Sequence, residues 1–381
     1  MSVVKLKEED QDSDFSALLD DIRARRSEFH EQGHISQDII ERFQSAGIYR
    51  AFVPKQFGGT EKTPMEFLRV IEQISSADGS TGWVASFGFA TKYLSSLPAD
   101  TLAEIYADTP DIVFAGAVFP PQLAVKEAGG YRVKGRWGFG SGSMGASLIG
   151  VGIKIEGEGG GLPRMAVMPR SKISIEENWD VMGMLATGSH DLVVDNVLVP
   201  EHYTLIRGAA PTIDTPAYRY PSMGIAAQVL AVVGLGVARE AIDEIVRLAT
   251  RKNSITGAPS MSDRPNFQIA YSQMEAALGS ARAWFYEVTE KAWEVIVAGD
   301  ELSQKELAMI RIASTNAARV GADVTRRAFE MSGTTGIFNT HPLSRHVQDA
   351  MVVAQHAFMN DETWQSGGSV LLGNGAPPGY P

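Results

Sequence analysis

Two places in the sequence carry residues whose types and spacing suit chemistry. The first is a glycine-rich run over residues 137–143, where Ser141 and Ser143 alternate with glycines after the aromatic residues Trp137 and Phe139. Glycine lets backbone N–H groups approach a ligand closely, serine hydroxyls donate or accept hydrogen bonds, and an aromatic ring covers a flat surface. The run therefore predicts a docking loop for a planar polar ring system, with a β-hairpin and a flexible turn as the alternative.

The second place is a histidine near the end of the chain. His356 follows Asp349 by seven residues, and Arg345 precedes that aspartate by four. On a helix this spacing puts all three side chains on one face and lets Arg345 and Asp349 pair. Imidazole, with an unperturbed pKa of about 6.5, takes up and returns a proton near neutral pH. The spacing alone favours a hydrogen-bonded histidine inside a helical bundle, and an acid–base residue is the alternative.

Composition excludes several other kinds of chemistry. The chain has no cysteine, which excludes disulfides, thiolate metal sites and thiol nucleophiles. The histidine pairs at 30 and 34 and at 341 and 346 lack a carboxylate partner, so we predict no metal site. A net charge of -11 argues against nucleic acid as a partner. The first residues are charged and the longest apolar run, over 225–238, is short for a membrane span, so we predict a cytoplasmic protein that enters no membrane.

Hydrophobic periodicity divides the chain into three parts. Apolar residues recur at helical spacing up to about Tyr106, alternate with polar ones between Ile112 and about Leu205, and return to helical spacing after Pro221. We predict an N-terminal α-helical domain over 1–111, a central β-barrel domain over 112–216 and a C-terminal four-helix bundle over 217–381. This order, without strand–helix alternation, excludes a doubly wound nucleotide-binding fold.

One glycine pair matches a dinucleotide-binding motif in residue type but not in its structural context. Gly234 and Gly236 lie inside a helical run, whereas that motif needs a preceding strand and a helix that begins at the glycines. Close packing between helices accounts for the two glycines better.

Several segments resemble the acyl-CoA dehydrogenase superfamily. Residues 130–143 are similar to its flavin-facing strand, residues 179–201 end in its typical Val-Pro-Glu, and segments 47–59 and 77–83 also match. The resemblance covers nearly the whole chain. It implies the acyl-CoA dehydrogenase-like three-domain fold, mostly α with a central β-barrel, and a homotetramer in which helix bundles pair across subunits.

Within that superfamily the chain resembles the two-component flavin-dependent monooxygenases, such as the oxygenase components of 4-hydroxyphenylacetate hydroxylase and dibenzothiophene monooxygenase. The similarity rests on residues 187–189, residues 78–83 and the spaced Arg345, Asp349 and His356. It implies that a separate NAD(P)H-dependent reductase supplies reduced flavin, FADH2 or FMNH2. With O2 this flavin would form a C4a-hydroperoxide that oxygenates a small aromatic substrate, phenolic or indolic.

Two other functions stay open at this point. A true acyl-CoA dehydrogenase using bound FAD would need Asp361 or Glu362 as its base, because the usual Glu-Gly-Thr element is replaced by residues 355–357, Gln-His-Ala. A flavin-free scaffold that keeps the fold is the third possibility, against which the intact Ser-Gly-Ser and Thr-Gly-Ser loops argue.

The resemblance also implies roles for individual residues. His356 would act near the reacting oxygen, and Ser141 and Ser143 would hydrogen-bond the flavin or its peroxide, which makes Ser143 a second catalytic residue. The set of cofactor-binding residues is completed by Trp137, Phe139, Thr187, Arg251 and Gln268. Arg251 would reach a flavin phosphate, or else would only cap its helix. Gln268 would contact the flavin of a neighbouring subunit. The apolar substrate walls would be Phe87, Phe89, Tyr93, Phe119, Met182 and Met184.

Overall fold

The structure is a computed structural model that describes residues 3–155, 163–251 and 259–377. Its helices are α1 (Val3–Gln32), α2 (Gln37–Ser45), α3 (Pro64–Ala77), α4 (Gly79–Ser86), α5 (Thr91–Leu94), α6 (Ala99–Ile105), α7 (Pro216–Arg219), α8 (Ser222–Ala249), α9 (Pro265–Ala298), α10 (Gln304–Met331), α11 (Pro342–Gln355) and α12 (Asp361–Leu371). Its strands are β1 (Phe114–Glu127), β2 (Gly130–Trp137), β3 (Leu148–Ile155), β4 (Arg164–Pro169), β5 (Ser174–Glu176), β6 (Asp191–Pro200) and β7 (Thr204–Ile206). Helices at both ends and strands in the middle confirm the predicted order.

The strands form one open sheet. Their order is β5-β6-β2-β1-β3-β4-β7, in which β1 and β3 run parallel and the other neighbours run antiparallel. The edge strands β5 and β7 have three residues each. The predicted closed barrel is therefore wrong for the described strands. Alternation along a strand reports which face is buried, and it carries no information on whether the first and last strands pair.

The chain divides into two compact units. The first contains the residues up to Phe67, then Val84–Val181 and Leu185–Ile225, and the second contains Leu68–Trp83, Met182–Met184 and the residues from Ala226 onward. The first unit holds the sheet and most of the N-terminal helices, and the second holds the long C-terminal helices. The division into three sequence domains stays a prediction.

The core of the first unit joins the sheet to a helical run. Phe114, Leu148 and Leu205 come from three strands, and they pack in one buried cluster with Ala90 and Leu94. Those last two residues belong to a continuous helical stretch, because the 3-10 turn Phe87–Ala90 connects α4 directly to α5. The cluster therefore fixes this helical run against the sheet through apolar contact.

Helix packing in the second unit explains the glycine pair. A β-carbon on Gly236 would lie 2.4 Å from the carbonyl oxygen of Glu72, and one on Gly321 would lie 2.6 Å from the carbonyl oxygen of Gly234. Real side chains do not tolerate such distances, so these glycines let α8 approach α3 and α10 at backbone contact. The prediction of close helix packing, and not a dinucleotide motif, is confirmed.

Two features of the C-terminal helices depart from simple periodicity. The helical pattern predicted near the end of the chain is split, because His356 has an extended ψ of 142° and Asn360 caps a new helix by accepting the N–H of Thr363. Helix α8 is long and apolar enough to cross a membrane by length and composition, yet 94% of its most apolar window is buried inside the protein. The surrounding helices supply the apolar contacts that its composition requires.

A matched pair of glycine substitutions tests this packing. We expect Gly236→Ala to destabilise the protein by about 1–3 kcal/mol, because the added methyl group forces backbone to move. We expect Gly279→Ala, in α9, to stabilise it by roughly 0.5–1 kcal/mol, since its β-carbon meets nothing within 4 Å and alanine favours helix. Urea unfolding of both variants measures the difference, and equal effects would contradict the close approach of α8 to α3.

Candidate active site

The glycine–serine loop of the first unit is held by a second loop. It follows β2, and the N–H groups of Gly140 and Gly142 donate to the carbonyls of His190 and Thr187, both at 3.0 Å. Residue Gly142 has a φ of 70°, the left-handed region that glycine adopts without strain. The two Gly-Ser motifs noticed in the sequence, over 137–143 and 187–189, are thus brought together by backbone hydrogen bonds.

Three hydroxyl groups form a chain where these loops meet. The Oγ atoms of Ser141 and Ser189 lie 2.6 Å apart, and Ser189 Oγ lies 2.6 Å from Thr187 Oγ1. All three side chains are buried. Two hydrogen bonds join the three hydroxyls, each of which can both donate and accept. Ser189 lies in the Thr-Gly-Ser motif, and sequence reasoning gave it no role of its own.

Ser143 supplies a polar group that the protein itself leaves unused. Its side chain is fully buried, and its Oγ has no hydrogen-bond partner among the described residues. Leaving a buried hydroxyl unsatisfied costs about 1–3 kcal/mol, so a native structure keeps one where a ligand completes it. A flavin ring, with its polar edge, fits this donor set.

Phe139 is the exposed aromatic residue of the loop. It has a φ of 62° and 73% of its surface exposed, and its ring meets the edge of Trp179 at 5.9 Å. A left-handed conformation is costly for a residue with a β-carbon, and such strain concentrates at functional sites. The backbone thereby holds an uncovered ring beside the hydroxyl chain, where it can cover a flat ligand.

Trp137 lies elsewhere. Its side chain has no exposed surface, and its indole N–H donates to the carbonyl of Gly152 at 2.8 Å. Trp137 ends β2 with its side chain toward the core, whereas the left-handed backbone at Phe139 turns the next aromatic ring outward. The expectation that Trp137 covers a flavin is corrected accordingly: in the structure it packs the sheet core beneath the loop.

His190 fixes the turn that carries Trp179. Its Nδ1 accepts the backbone N–H groups of Asn178 and Trp179, each at 3.0 Å. Burial lowers the pKa of His190, which favours the neutral ring that these two hydrogen bonds require. A histidine in this motif was visible in the sequence, but its partners come from a turn about twelve residues away.

The predicted aromatic walls fall into separate places within the first unit. Phe87 lies beside the glycine–serine loop, because a β-carbon on Gly142 would meet Val84 at 3.6 Å and Phe87 at 3.8 Å. The rings of Phe89 and Tyr93 contact each other edge to face at 5.2 Å. Phe119 is exposed on β1. Only Phe87 is placed at the loop by these contacts.

In the second unit, His356 ends helix α11. Its Nδ1 accepts the N–H of Phe358 at 3.2 Å, and its ring lies 5.9 Å from Trp83 and 5.0 Å from Phe358. The prediction that His356 continues the helical face of Asp349 is wrong, since the helix stops at Gln355. Because Nδ1 accepts a hydrogen bond from a backbone N–H, the neutral ring carries its own proton at Nε2.

Asp349 holds the loop that contains the two predicted methionines. It is fully buried and accepts the backbone N–H of Met184 at 2.6 Å. Met184 itself is buried with a φ of 57°, and Met182 is exposed. A β-carbon on Gly183 would lie 2.5 Å from the backbone of Gln348, so this loop lies directly on α11. The carboxylate thus stabilises a strained backbone that presents Met182.

Two predicted cofactor residues lie at the surface of the second unit. Arg251 is exposed just after α8, and Gln268 is exposed on α9, where its Nε2 donates to the carbonyl of Ser262 at 3.0 Å. Their contacts with a flavin phosphate or a neighbouring subunit stay predictions.

Comparison with known proteins decides the family. Residues 16–97 match the N-terminal domain and residues 228–361 the C-terminal domain of acyl-CoA dehydrogenase. The chain is 53% identical over 369 residues to indole-3-acetate monooxygenase of Pseudomonas putida, covering 96% of this chain and 95% of that protein. The chain belongs to the flavin-dependent monooxygenases of the acyl-CoA dehydrogenase family.

Other similar proteins agree. Indole-3-acetate monooxygenase of Acinetobacter baumannii is 47% identical, with 100% of this chain and 99% of that protein covered. The oxygenase component of FADH(2)-dependent resorcinol hydroxylase from a Rhizobium species is 26% identical, with 93% and 91% covered. The crystal structure of 3-HSA hydroxylase from Rhodococcus sp. RHA1 superposes with a TM-score of 0.89 at 25% identity, over 95% and 96% of the two chains.

Family membership settles the reaction class. This monooxygenase is an oxidoreductase that uses reduced flavin and O2 to oxygenate an aromatic compound, and as an oxygenase component it works with a separate reductase. The acyl-CoA dehydrogenase alternative is not retained. Asp361, one of its two candidate bases, is 92% exposed and pairs with Arg319 at the surface.

Acid should weaken the structure around His190. Its folded-state pKa lies below the unfolded value of about 6.5, so the unfolded chain binds more protons between these two values. Its contribution to stability is therefore complete above that unfolded pKa and is lost as pH falls through the folded pKa. We expect wild type to lose more unfolding free energy than His190→Gln between neutral pH and pH about 5. Parallel stability profiles of the two proteins would contradict this role.

Removing the Asp349 carboxylate should loosen the methionine loop. We expect Asp349→Ala to lower the yield of oxygenated product per flavin oxidised by about tenfold or more, with hydrogen peroxide released instead, because small displacements in a site are costly. Asp349→Asn keeps an oxygen that can accept the Met184 N–H and should retain most of the yield. Equal yields in the two variants would show that this hydrogen bond does not matter.

Proposed function

We propose that this monooxygenase oxygenates the indole ring of indole-3-acetate. The observation that carries the proposal is 53% identity across almost the full length of a protein named for that substrate. The aromatic residue Phe87 beside the glycine–serine loop supports it, since a bicyclic aromatic needs an apolar wall next to the reacting group. The A. baumannii relative, with the same name and full coverage, supports it independently.

The first unit's residues would hold the flavin. Bound reduced flavin supplies two electrons that let O2 deliver one oxygen atom to the substrate and the other to water. The Ser143 hydroxyl would donate to the polar edge of the ring, and the buried hydroxyls of Ser141, Ser189 and Thr187 would lie beside it. Phe139 covers the ring and keeps water away from it.

His356 would move the proton that ring oxygenation requires. Its Nδ1 is held by the N–H of Phe358, so Nε2 is the atom that gives and regains a proton. The rings of Trp83 and Phe358 fix the orientation of the imidazole. As a neutral ring His356 offers its Nε2–H as a hydrogen-bond donor, and it acts as an acid only after Nδ1 is protonated, which breaks the hydrogen bond from Phe358.

We also retain the proposals on assembly and location. A homotetramer is supported by apolar side chains exposed on the helices of the second unit, among them Ile269, Val297, Trp364 and Leu371. Arg251 and Gln268 would reach flavin groups at subunit contacts. The enzyme would act in the cytoplasm, where a reductase supplies reduced flavin.

The central experiment mixes the purified protein with a flavin reductase, NADH, flavin and indole-3-acetate in air. We expect a product heavier by one oxygen atom, detected by mass spectrometry, and none when the oxygenase is left out. With His356→Ala we expect reduced flavin still to bind, while product falls by about 10²-fold or more and hydrogen peroxide takes its place.

Two results would count against the proposal. If phenols are oxygenated and indole-3-acetate is not, the substrate is wrong and the reaction class stands. If His356→Ala keeps its full product yield across the pH range, another group moves the proton. Incubation with an acyl-CoA serves as a control, and no flavin reduction is expected from it.

A further inference from the structure

Lys92 is a buried cation in the helical run that borders the glycine–serine loop. It belongs to α5 in the first unit, and 2% of its surface is exposed. Its Nζ donates to the backbone carbonyl of Tyr218 at 2.6 Å. Among the described residues no carboxylate forms an ion pair with it. An ammonium group has three donor positions, and a single carbonyl satisfies one of them.

Two other buried carboxylates of this protein have an arginine partner. Asp111 meets the guanidinium of Arg50 at 2.7 Å, and Glu72 meets Arg282 at 2.6 Å. Burial of a charge without a partner of opposite sign is costly, and accordingly burial lowers the pKa of Lys92 to about 7. A lysine kept in so unfavourable a place points to an anion that is bound during function.

The position of Lys92 suits the far end of an aromatic substrate. Phe87 contacts the loop at Gly142, and Lys92 follows it by five residues of helical backbone, a rise of about 7–8 Å. A second cation of the first unit, Arg207, donates its Nη2 to the hydroxyl of Tyr93 at 2.7 Å. Lys92 has one acceptor among the described residues, the carbonyl of Tyr218, and its ammonium has donor positions left for a ligand.

We propose that Lys92 binds the carboxylate of an arylacetate substrate, and so selects anionic over neutral indoles. The inference rests on the proposed function, because it places the aromatic ring of that substrate near Phe87 and the loop. A charge-assisted hydrogen bond from Nζ to the carboxylate would satisfy both groups away from water. Neutral indoles would leave the ammonium unpaired and would be disfavoured for that reason.

The test measures binding of indole-3-acetate and of its uncharged isostere indole-3-acetamide by calorimetry, with reduced flavin present and oxygen excluded. Wild type should bind the acetate at least about tenfold more tightly than the amide. Lys92→Met should lose that preference while its affinity for the amide changes by less than about twofold. Lys92→Arg should keep part of the preference. Lys134→Met, which removes an exposed lysine paired with Asp195, should match wild type.

Several outcomes would overturn the inference. Wild type without a preference for the acetate, or Lys92→Met with the preference intact, excludes carboxylate binding by Lys92. An equal loss of affinity for acetate and amide gives Lys92 a structural role. Should Lys92→Met fail to fold, Lys92→Gln replaces it, because it keeps a donor for Tyr218. If the wild-type protein prefers the acetate but does not oxygenate it, the proposed function is wrong and the proposed carboxylate site is still supported.

Discussion

The backbone pairing between two glycine–serine loops is the interaction on which the candidate flavin site depends. The donations from Gly140 and Gly142 to the 187–190 segment bring hydroxyls from distant parts of the chain within 2.6 Å of one another. A single hydroxyl in water gains little from a hydrogen bond, whereas a buried chain of them is fixed in direction. In the proposed flavin site this chain, together with the Ser143 hydroxyl that has no partner among the described residues, would meet the polar edge of the cofactor.

Two positions in the hydrogen-bonded loops have a strained backbone. Phe139 and Met184 are both non-glycine residues with positive φ, and each lies in a loop secured by hydrogen bonds, to His190 and Thr187 in one case and to Asp349 in the other. A left-handed backbone costs of order 1–2 kcal/mol for such residues, which is less than the hydrogen bonds and packing around them supply. The strained backbone turns the Phe139 side chain outward and holds the Met184 side chain in the interior.

Much of the fold and of the candidate site could be predicted from residue patterns, and the predictions that were wrong failed for physical reasons. The periodicity of apolar residues located the helices and strands, and the Gly-Ser motifs located both loops. The choice between Trp137 and Phe139 could not be made, because it depends on one left-handed residue that the pattern does not reveal. Barrel closure and the split after Gln355 depend on long-range pairing and on capping side chains. The partners of His190 lie 11 and 12 residues away and the partner of Lys92 lies 126 residues away, so neither role is visible in local spacing.

The segment that follows α11 bears on the choice between oxygenation and dehydrogenation. A dehydrogenase needs a carboxylate that removes a proton from carbon, and this chain instead has His356 with Nδ1 engaged by a backbone N–H. That hydrogen bond assigns the proton of the neutral ring to Nε2, so this form of the imidazole can donate a hydrogen bond from Nε2. In the proposed reaction the oxygen atom that leaves for water must be protonated, and a donor at this place would suit that step. The capping interaction at the end of α11 thereby fixes which nitrogen His356 would use in the role proposed for it.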